Sequence, residues 1–179
     1  MGTRYDTPEY PGDSRPETQK HIDKVVEFGG QFTSRLAERL AMHDASKLVE
    51  PECKFFDRGT PNLATTTYGD ASYDKAKDSI REGIEHHYRL NDHHPEHFGD
   101  AGVSGMNLYQ LAEMYIDWRA ASLRHKDGNI FRSILVNRDR FRLDPQVFAI
   151  LMNTALADSP ELLEAAPEEA REYLKGGRT

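Results

Sequence analysis

One cysteine, Cys53, stands in 179 residues, so no intrachain disulfide can form and a multi-thiolate zinc site is excluded. So little thiol chemistry fits a reducing compartment, and the expectation is a cytoplasmic protein. A run of about 18 apolar residues is also missing, and the polar opening segment 1–16 lacks the apolar stretch of a signal peptide. The sequence therefore predicts a soluble chain with no membrane partner. Nor is there a block of lysine or arginine; 23 basic residues face 30 acidic ones, for a formal net charge of −7. Without a basic stripe to follow a phosphate backbone, duplex nucleic acid is excluded as a partner. A small anionic ligand is not excluded, because a bound cation reverses the local field.

Strand-type alternation is lacking as well, and what takes its place is helical spacing. Ile22, Val25, Val26, Phe28 and Phe32 recur at that spacing, continued by Leu36, Leu40 and Met42. Gly29-Gly30 interrupts the run, and two adjacent glycines cost roughly 2 kcal/mol inside a helix. The sequence thus predicts one helix over about 17–28 and a second over 31–44. Residues 50–72 read as a long loop, with a short helix near 51–57 and Tyr68 available to stack on a base. Helices follow over about 72–90, stopped by a left-handed Asn91, and over 107–126, 130–141 and from Asp144-Pro145 to about 156. Between the first two of these, Asp92 can cap and Pro95 start a short turn holding Glu96 and His97. The fold class is all-α, a compact bundle of about five to seven helices. Its organisation is an irregular arm at 1–16, a helical domain at 17–157 and a peripheral acidic tail at 158–179. A homo-oligomer is compatible with all of this.

The abundant residue is histidine. Of eight, His86, His87, His93, His94 and His97 fall within a twelve-residue stretch, and His43 precedes Asp44. Imidazole and carboxylate from several helices, brought to one point, make a metal-dependent hydrolytic site; the candidates are His21, His43-Asp44, His86/His87, His93/His94 and Asp117. Adjacent His43 and Asp44 point about 100° apart on a helix and reach one metal most easily near its end, which Ser46-Lys47 would mark. His21 and His43 lie about 33 Å apart in one continuous helix, so a reversal at Gly29-Gly30 is a precondition for their sharing an ion. Glu113, one turn before Asp117, places a second carboxylate on an otherwise apolar face.

The order His…His-Asp…His…His…Asp resembles the HD superfamily of metal-dependent phosphohydrolases, and His43-Asp44-Ala45-Ser46-Lys47 resembles its H-D-x-G-K variant with serine in place of glycine. From His21 to about Thr154 the chain is also similar to an uncharacterised family of phages and bacteria. That likeness rests on His-Asp-x-Ser-Lys, on the string His86-His87-Tyr88 through His97-Phe98, and on Met-Asn-Leu…Glu-Met…Asp-Trp. The resemblance implies His21, His43, Asp44 and Asp117 as core ligands, with Asp44 bridging if two ions bind. One histidine of each doublet, with His87 and His94 preferred over His86 and His93, would hold the second. The cofactor expected from such an N/O set is one or two divalent transition metals: iron, manganese, cobalt, nickel or zinc. Lys47 would neutralise phosphate charge, His86 and His93 would relay protons, and Glu113 and His97 would orient ligands from behind.

The reaction implied is hydrolysis of a small phosphorylated substrate, a nucleotide or related ester, by metal-activated water. The alternatives are a di-iron oxygenase and a binding module with a structural metal. Plainer readings stand beside these. The histidines could form a pH-responsive surface, Lys47 a helix-end charge, and Asp117 a partner for Arg119 or Arg124. Arg138, Arg140 and Arg142 read as a solvated face.

Overall fold

The structure, a computed structural model, describes residues 13–63, 75, 78–124 and 128–176. The expectations for the arm before 13, for Tyr68 and for the helix start near Ser72 lie outside these residues, as does the end of the fourth helix at Lys126. Every regular element among the described residues is helical, and no strand occurs. The chain divides into two units, Met1–Ala41 and Met42–Thr179.

Among its described residues the first unit has a single helix, α1 (Arg15–Ala41), and the expected break at Gly29-Gly30 is absent. The glycine penalty is spread over 27 residues and opposed by local pairs on the N-terminal side of the glycines. Lys20 pairs with Glu17 at 2.6 Å, Lys24 with Glu27 at 2.5 Å, and Gln19 bonds Asp23 at 2.9 Å. Each such pair stabilises a helix by about 0.2–0.5 kcal/mol. Thr33 adds a hydroxyl bond to the Gly29 carbonyl at 3.0 Å. No residue of α1 is buried.

The second unit opens on Met42 and turns at Asp44, whose backbone is left-handed (φ 57°, ψ 13°), into a 3-10 turn at Ala45–Leu48. Where a long loop with a short helix near 51–57 was expected, the helix is there but runs further, as α2 (Glu52–Leu63). It packs closely on α3 (Arg81–Leu90). Two glycines permit that approach: a Cβ on Gly83 would lie 2.4 Å from the Phe55 Cβ, and one on Gly59 would lie 2.6 Å from Ile80. Asn91 ends α3 in an extended conformation (φ −113°, ψ 102°), not the left-handed one expected. Its side-chain amide instead donates to the Ser46 hydroxyl at 2.8 Å and to the His87 carbonyl at 2.9 Å. A series of 3-10 turns, Pro95–Gly105, begins at Pro95 as expected and breaks at Gly99 (φ 56°) and Gly102 (φ 49°).

The remaining helices carry the core. Asn107 and Gln110 close a capping box at the start of α4 (Leu108–Ser122), Asn129 caps α5 (Ile130–Phe141), and Asp144 caps α6 (Pro145–Asp158). Met114, Tyr115 and Trp118 from α4 meet Ile130, Phe131, Ile134 and Leu135 from α5, and Phe148, Leu151 and Met152 from α6. The tail is not peripheral. Ala166, and Ala170 on α7 (Glu168–Gly176), are buried in this same core, with Tyr173 and Leu174 packed against it. Alanine's small side chain lets α7 sit close, which an acidic, alanine-rich composition disguises.

Candidate metal centre

Helix α4 divides its surface between two tasks. Its Met114–Tyr115–Trp118 face enters the core, while Gln110, Glu113 and Asp117 face the elements that precede it in the chain. Gln110 donates to Asp92 at 2.6 Å, so Asp92 ties the end of α3 to α4. Glu113 is 3% exposed, and its Oε1 lies 3.1 Å from His43 Nδ1 and 3.3 Å from His93 Nδ1. One buried carboxylate therefore accepts from two imidazoles.

A second carboxylate does the same on the opposite side. Glu52, wholly buried in the first turn of α2, accepts from His87 Nδ1 at 2.8 Å, His86 Nδ1 at 2.8 Å and the Ser46 hydroxyl at 2.8 Å. A carboxylate on Nδ1 holds the proton there and turns Nε2 forward as a lone-pair donor. The Nε2 atoms of His87 and His93 then face Asp44, lying 3.0 and 3.5 Å from its Oδ1, and His87 Nε2 is 3.0 Å from His94 Nε2.

Asp44, His87, His93 and His94 thus offer one ligand atom each, all within 4.8 Å of one another. Asp44 Oδ1 and His93 Nε2 are buried and make no hydrogen bond despite these contacts. Buried polar atoms are ordinarily paired, and two unpaired acceptors aimed at one point are what a cation would satisfy. The cluster could hold a metal ion. His43, His93 and Glu113 form a second close group. There the histidine atoms nearest the carboxylate are Nδ1, so Glu113 reads as their orienting partner. His43 Nε2 points the other way, 3.6 Å from Asp44 Oδ2 and 3.4 Å from Asp117 Oδ1.

The charges follow from these contacts. Hydrogen bonding to Asp117 and Glu113 outweighs burial and raises His43 to a pKa of about 10. Burial alone would raise Asp44, but His87, His93 and Lys47 overcome it and hold the carboxyl well below its usual range. Burial works against Glu52 too, and His86, Ser46 and His87 lower it nonetheless. Burial opposes the charged form of His93, yet Asp44 and Glu113 raise it. His94, desolvated and beside His93 and His87, is pushed down to about 2 and stays neutral.

Of the residues singled out from sequence, the structure brings together His43, Asp44, Lys47, His87, His93, His94, Glu113 and Asp117. Both members of the second doublet, not one, reach the cluster. In the first doublet His87 does, whereas His86 turns to the far side of Glu52, beside a surface depression lined with Pro51, Phe55, Glu82, Glu85 and Arg89. His97 is exposed and donates to the Tyr88 carbonyl at 3.1 Å, so it orients backbone and not a ligand. His21 is exposed on α1, in neither group, and the reversal required to return it is missing. Asp117 does not pair with Arg119, which bonds Asp158 at 3.2 Å. Arg138 and Arg140 are engaged with Glu169 and Glu96.

Sequence reasoning missed Glu52, Ser46 as its donor, and Asn91 as the donor to Ser46. In sequence Glu52 is one acid in the first turn of a helix after Pro51, with no local signal of an inward role. In comparisons with known proteins, a model of a family of unknown function (DUF5662) matches residues 12–157. Neither a curated protein nor a solved structure matches. With that stretch spanning most of its 179 residues, the chain belongs to the DUF5662 family of unknown function.

Proposed function

We propose that this chain is a metal-dependent hydrolase of a nucleotide or related phosphate ester, with Asp44, His87, His93 and His94 as ligands and with His43 and Asp117 beside them for a second ion. The observation carrying the reading is the convergence of imidazole Nε2 atoms on Asp44 with Glu52 and Glu113 fixed behind them. Mixed imidazole and carboxylate donors suit iron, manganese, cobalt, nickel or zinc. Such an ion, when bound, supplies Lewis acidity toward a phosphoryl oxygen and a nucleophilic water at neutral pH.

The chain's own residues account for the rest. Glu52 and Glu113 keep the imidazoles in one tautomer and one orientation. Asp44 is 19% exposed and gives the cluster its edge toward solvent, while buried His87 and His93 close the side behind it. Lys47 Nζ lies 2.6 Å from Asp44 Oδ2 and 5.0 Å from the centre of the Phe56 ring. From there its charge can meet a phosphoryl oxygen brought to Asp44. The resemblance of His43-Asp44-Ala45-Ser46-Lys47 to the phosphohydrolase motif supports phosphate as the group transferred.

Phosphate release from a panel of nucleotides and simple phosphomonoesters, with manganese or cobalt added to chelator-treated protein, tests this. The expected result is metal-dependent release that Asp44→Asn reduces by at least 10²-fold, a loss typical of removing a group that acts at the reacting centre. No release from any ester under any metal, or equal release from the variant, would sink it.

A further inference from the structure

Asp44 uses its two carboxylate oxygens unequally. Oδ1 is buried and without a hydrogen bond, and it faces His87 Nε2 at 3.0 Å and His93 Nε2 at 3.5 Å. Oδ2 is taken, because the Lys47 ammonium donates to it at 2.6 Å. The contact is local in origin. Asp44 turns left-handed into the 3-10 turn at Ala45–Leu48, where the Lys47 amide bonds the Asp44 carbonyl at 2.9 Å and brings the two side chains together. From α2 the Phe56 ring faces the same ammonium, 5.0 Å from ring centre to Nζ, so the charge is held from two sides. Among the described residues, Asp44 is the one carboxylate Lys47 pairs with.

Oδ2 is also the oxygen that faces the position proposed for a second ion. His43 Nε2 lies 3.6 Å from it and 3.4 Å from Asp117 Oδ1. A cation held by these atoms would stand beside the Lys47 ammonium, and like charges so close repel strongly where water is partly excluded. The first position carries no such conflict, since Oδ1 has no hydrogen bond to give up.

We infer that Lys47 is a placeholder cation, which keeps the second position closed to metal until a phosphoryl anion draws it off Asp44. The inference rests on the metal reading above and adds an order of loading to it. Asp44 Oδ1, with His87, His93 and His94, is ready for a first ion; Oδ2 is ready for a second only once Lys47 has left it. Lys47 is suited to the exchange. Its side chain is 28% exposed on a flexible four-carbon stem, and an ammonium serves a phosphoryl oxygen as well as a carboxylate oxygen. An anion that takes up Lys47 frees Oδ2 toward His43 and Asp117, so anion and second ion favour each other. Such coupling is reciprocal by thermodynamic necessity and typically amounts to about 5–150-fold. The centre thereby completes itself on the ligand it acts on.

Manganese binding to the chelator-treated full chain tests it, counted from the electron paramagnetic resonance of free ion with and without methylphosphonate, a phosphate-ester analogue that is not hydrolysed. Wild type should bind one ion alone and two with the phosphonate. Lys47→Met keeps a stem against Phe56 but no charge, and should bind two ions without the phosphonate, the second about 5–150-fold more tightly than wild type does. Lys47→Arg keeps the charge and should behave as wild type, a division that a merely structural role for the stem would not produce. Two ions on wild type without the anion, one on wild type with it, or one on Lys47→Met without it would each overturn the inference. No ion on any of the three proteins is a different result: it removes the metal centre itself, and the inference with it.

Discussion

At the scale of single residues, Asp44 combines two unusual conditions. Its carboxylate meets His87, His93 and Lys47, and its backbone is left-handed, at a cost of about 1–2 kcal/mol for most residues. Asparagine tolerates that conformation, so Asp44→Asn removes the charge without disturbing the turn and is a cleaner variant than alanine. Glu52 admits a comparable experiment. Glu52→Gln keeps the volume but puts an amide where His86 and His87 need an acceptor, so metal affinity should fall by about 10–100-fold. Titration of the stripped protein would reveal it; an unchanged affinity would make Glu52 a packing group only. The acid–base behaviour of the metal-free protein has its own signature. His43 keeps its proton up to about pH 10 when folded against 6.5 when unfolded, so its stabilisation is full below pH 6.5 and is lost as pH rises through 10. His94 works oppositely: the unfolded chain takes up a proton below pH 6.5 that the folded site refuses until about 2, so stability falls across that window. Denaturation in chelator should therefore show maximum stability near pH 6.5. Metal binding at His43 must displace its proton, so affinity should rise with pH and calorimetry in buffers of different ionisation enthalpy should detect the release. A flat stability profile and no proton release would contradict this account of the charges.

At the scale of helices, the same substitution has opposite signs in two places. Gly30 sits in α1 with nothing within 4 Å of where a Cβ would lie, so Gly30→Ala should stabilise by about 0.5–1 kcal/mol. Gly83→Ala would drive a methyl into Phe55, part α2 from α3 and pull Glu52 away from His86 and His87. Its cost should be about 1–3 kcal/mol, with weaker metal binding. Thermal unfolding of the two variants checks both signs. These glycines also show why some of the fold was legible in the sequence and some was not. The caps at Asn107, Asn129 and Asp144 declare their helices locally, and the expected boundaries near 107, 130 and 145 match those observed. Gly29-Gly30 carries the local signal of a break, yet the helix runs through it, with side-chain pairs offsetting part of the cost. Glycines that allow two helices to touch look the same in sequence as glycines that end one, so the part of α2 beyond Asp57, with Gly59 and Pro61, was read as loop.

At the scale of the molecule, α4 joins the apolar core to the candidate centre, with Met114 and Trp118 on one side and Glu113 and Asp117 on the other. His43, Asp44, His87, His94 and Asp117 were legible because imidazole and carboxylate are rare enough together to point at a metal. That His93 joins His94 in the cluster was not, since which rings of a doublet face inward depends on the turn at Asn91 and on Glu52, 34 residues from His86. His21 shows the limit of motif order, which carries no information on whether a chain reverses. An ion bound only by the folded state should also raise the unfolding temperature, by about 2.7 kcal/mol of stability at one hundred times its dissociation constant. The most direct measurement is metal content by mass spectrometry after cobalt or zinc loading and dialysis, comparing wild type with Asp44→Asn and His87→Gln at matched circular dichroism. Wild type should retain at least one equivalent and both folded variants markedly less. Wild type emerging metal-free, or variants retaining as much as wild type, would contradict a centre built on Asp44.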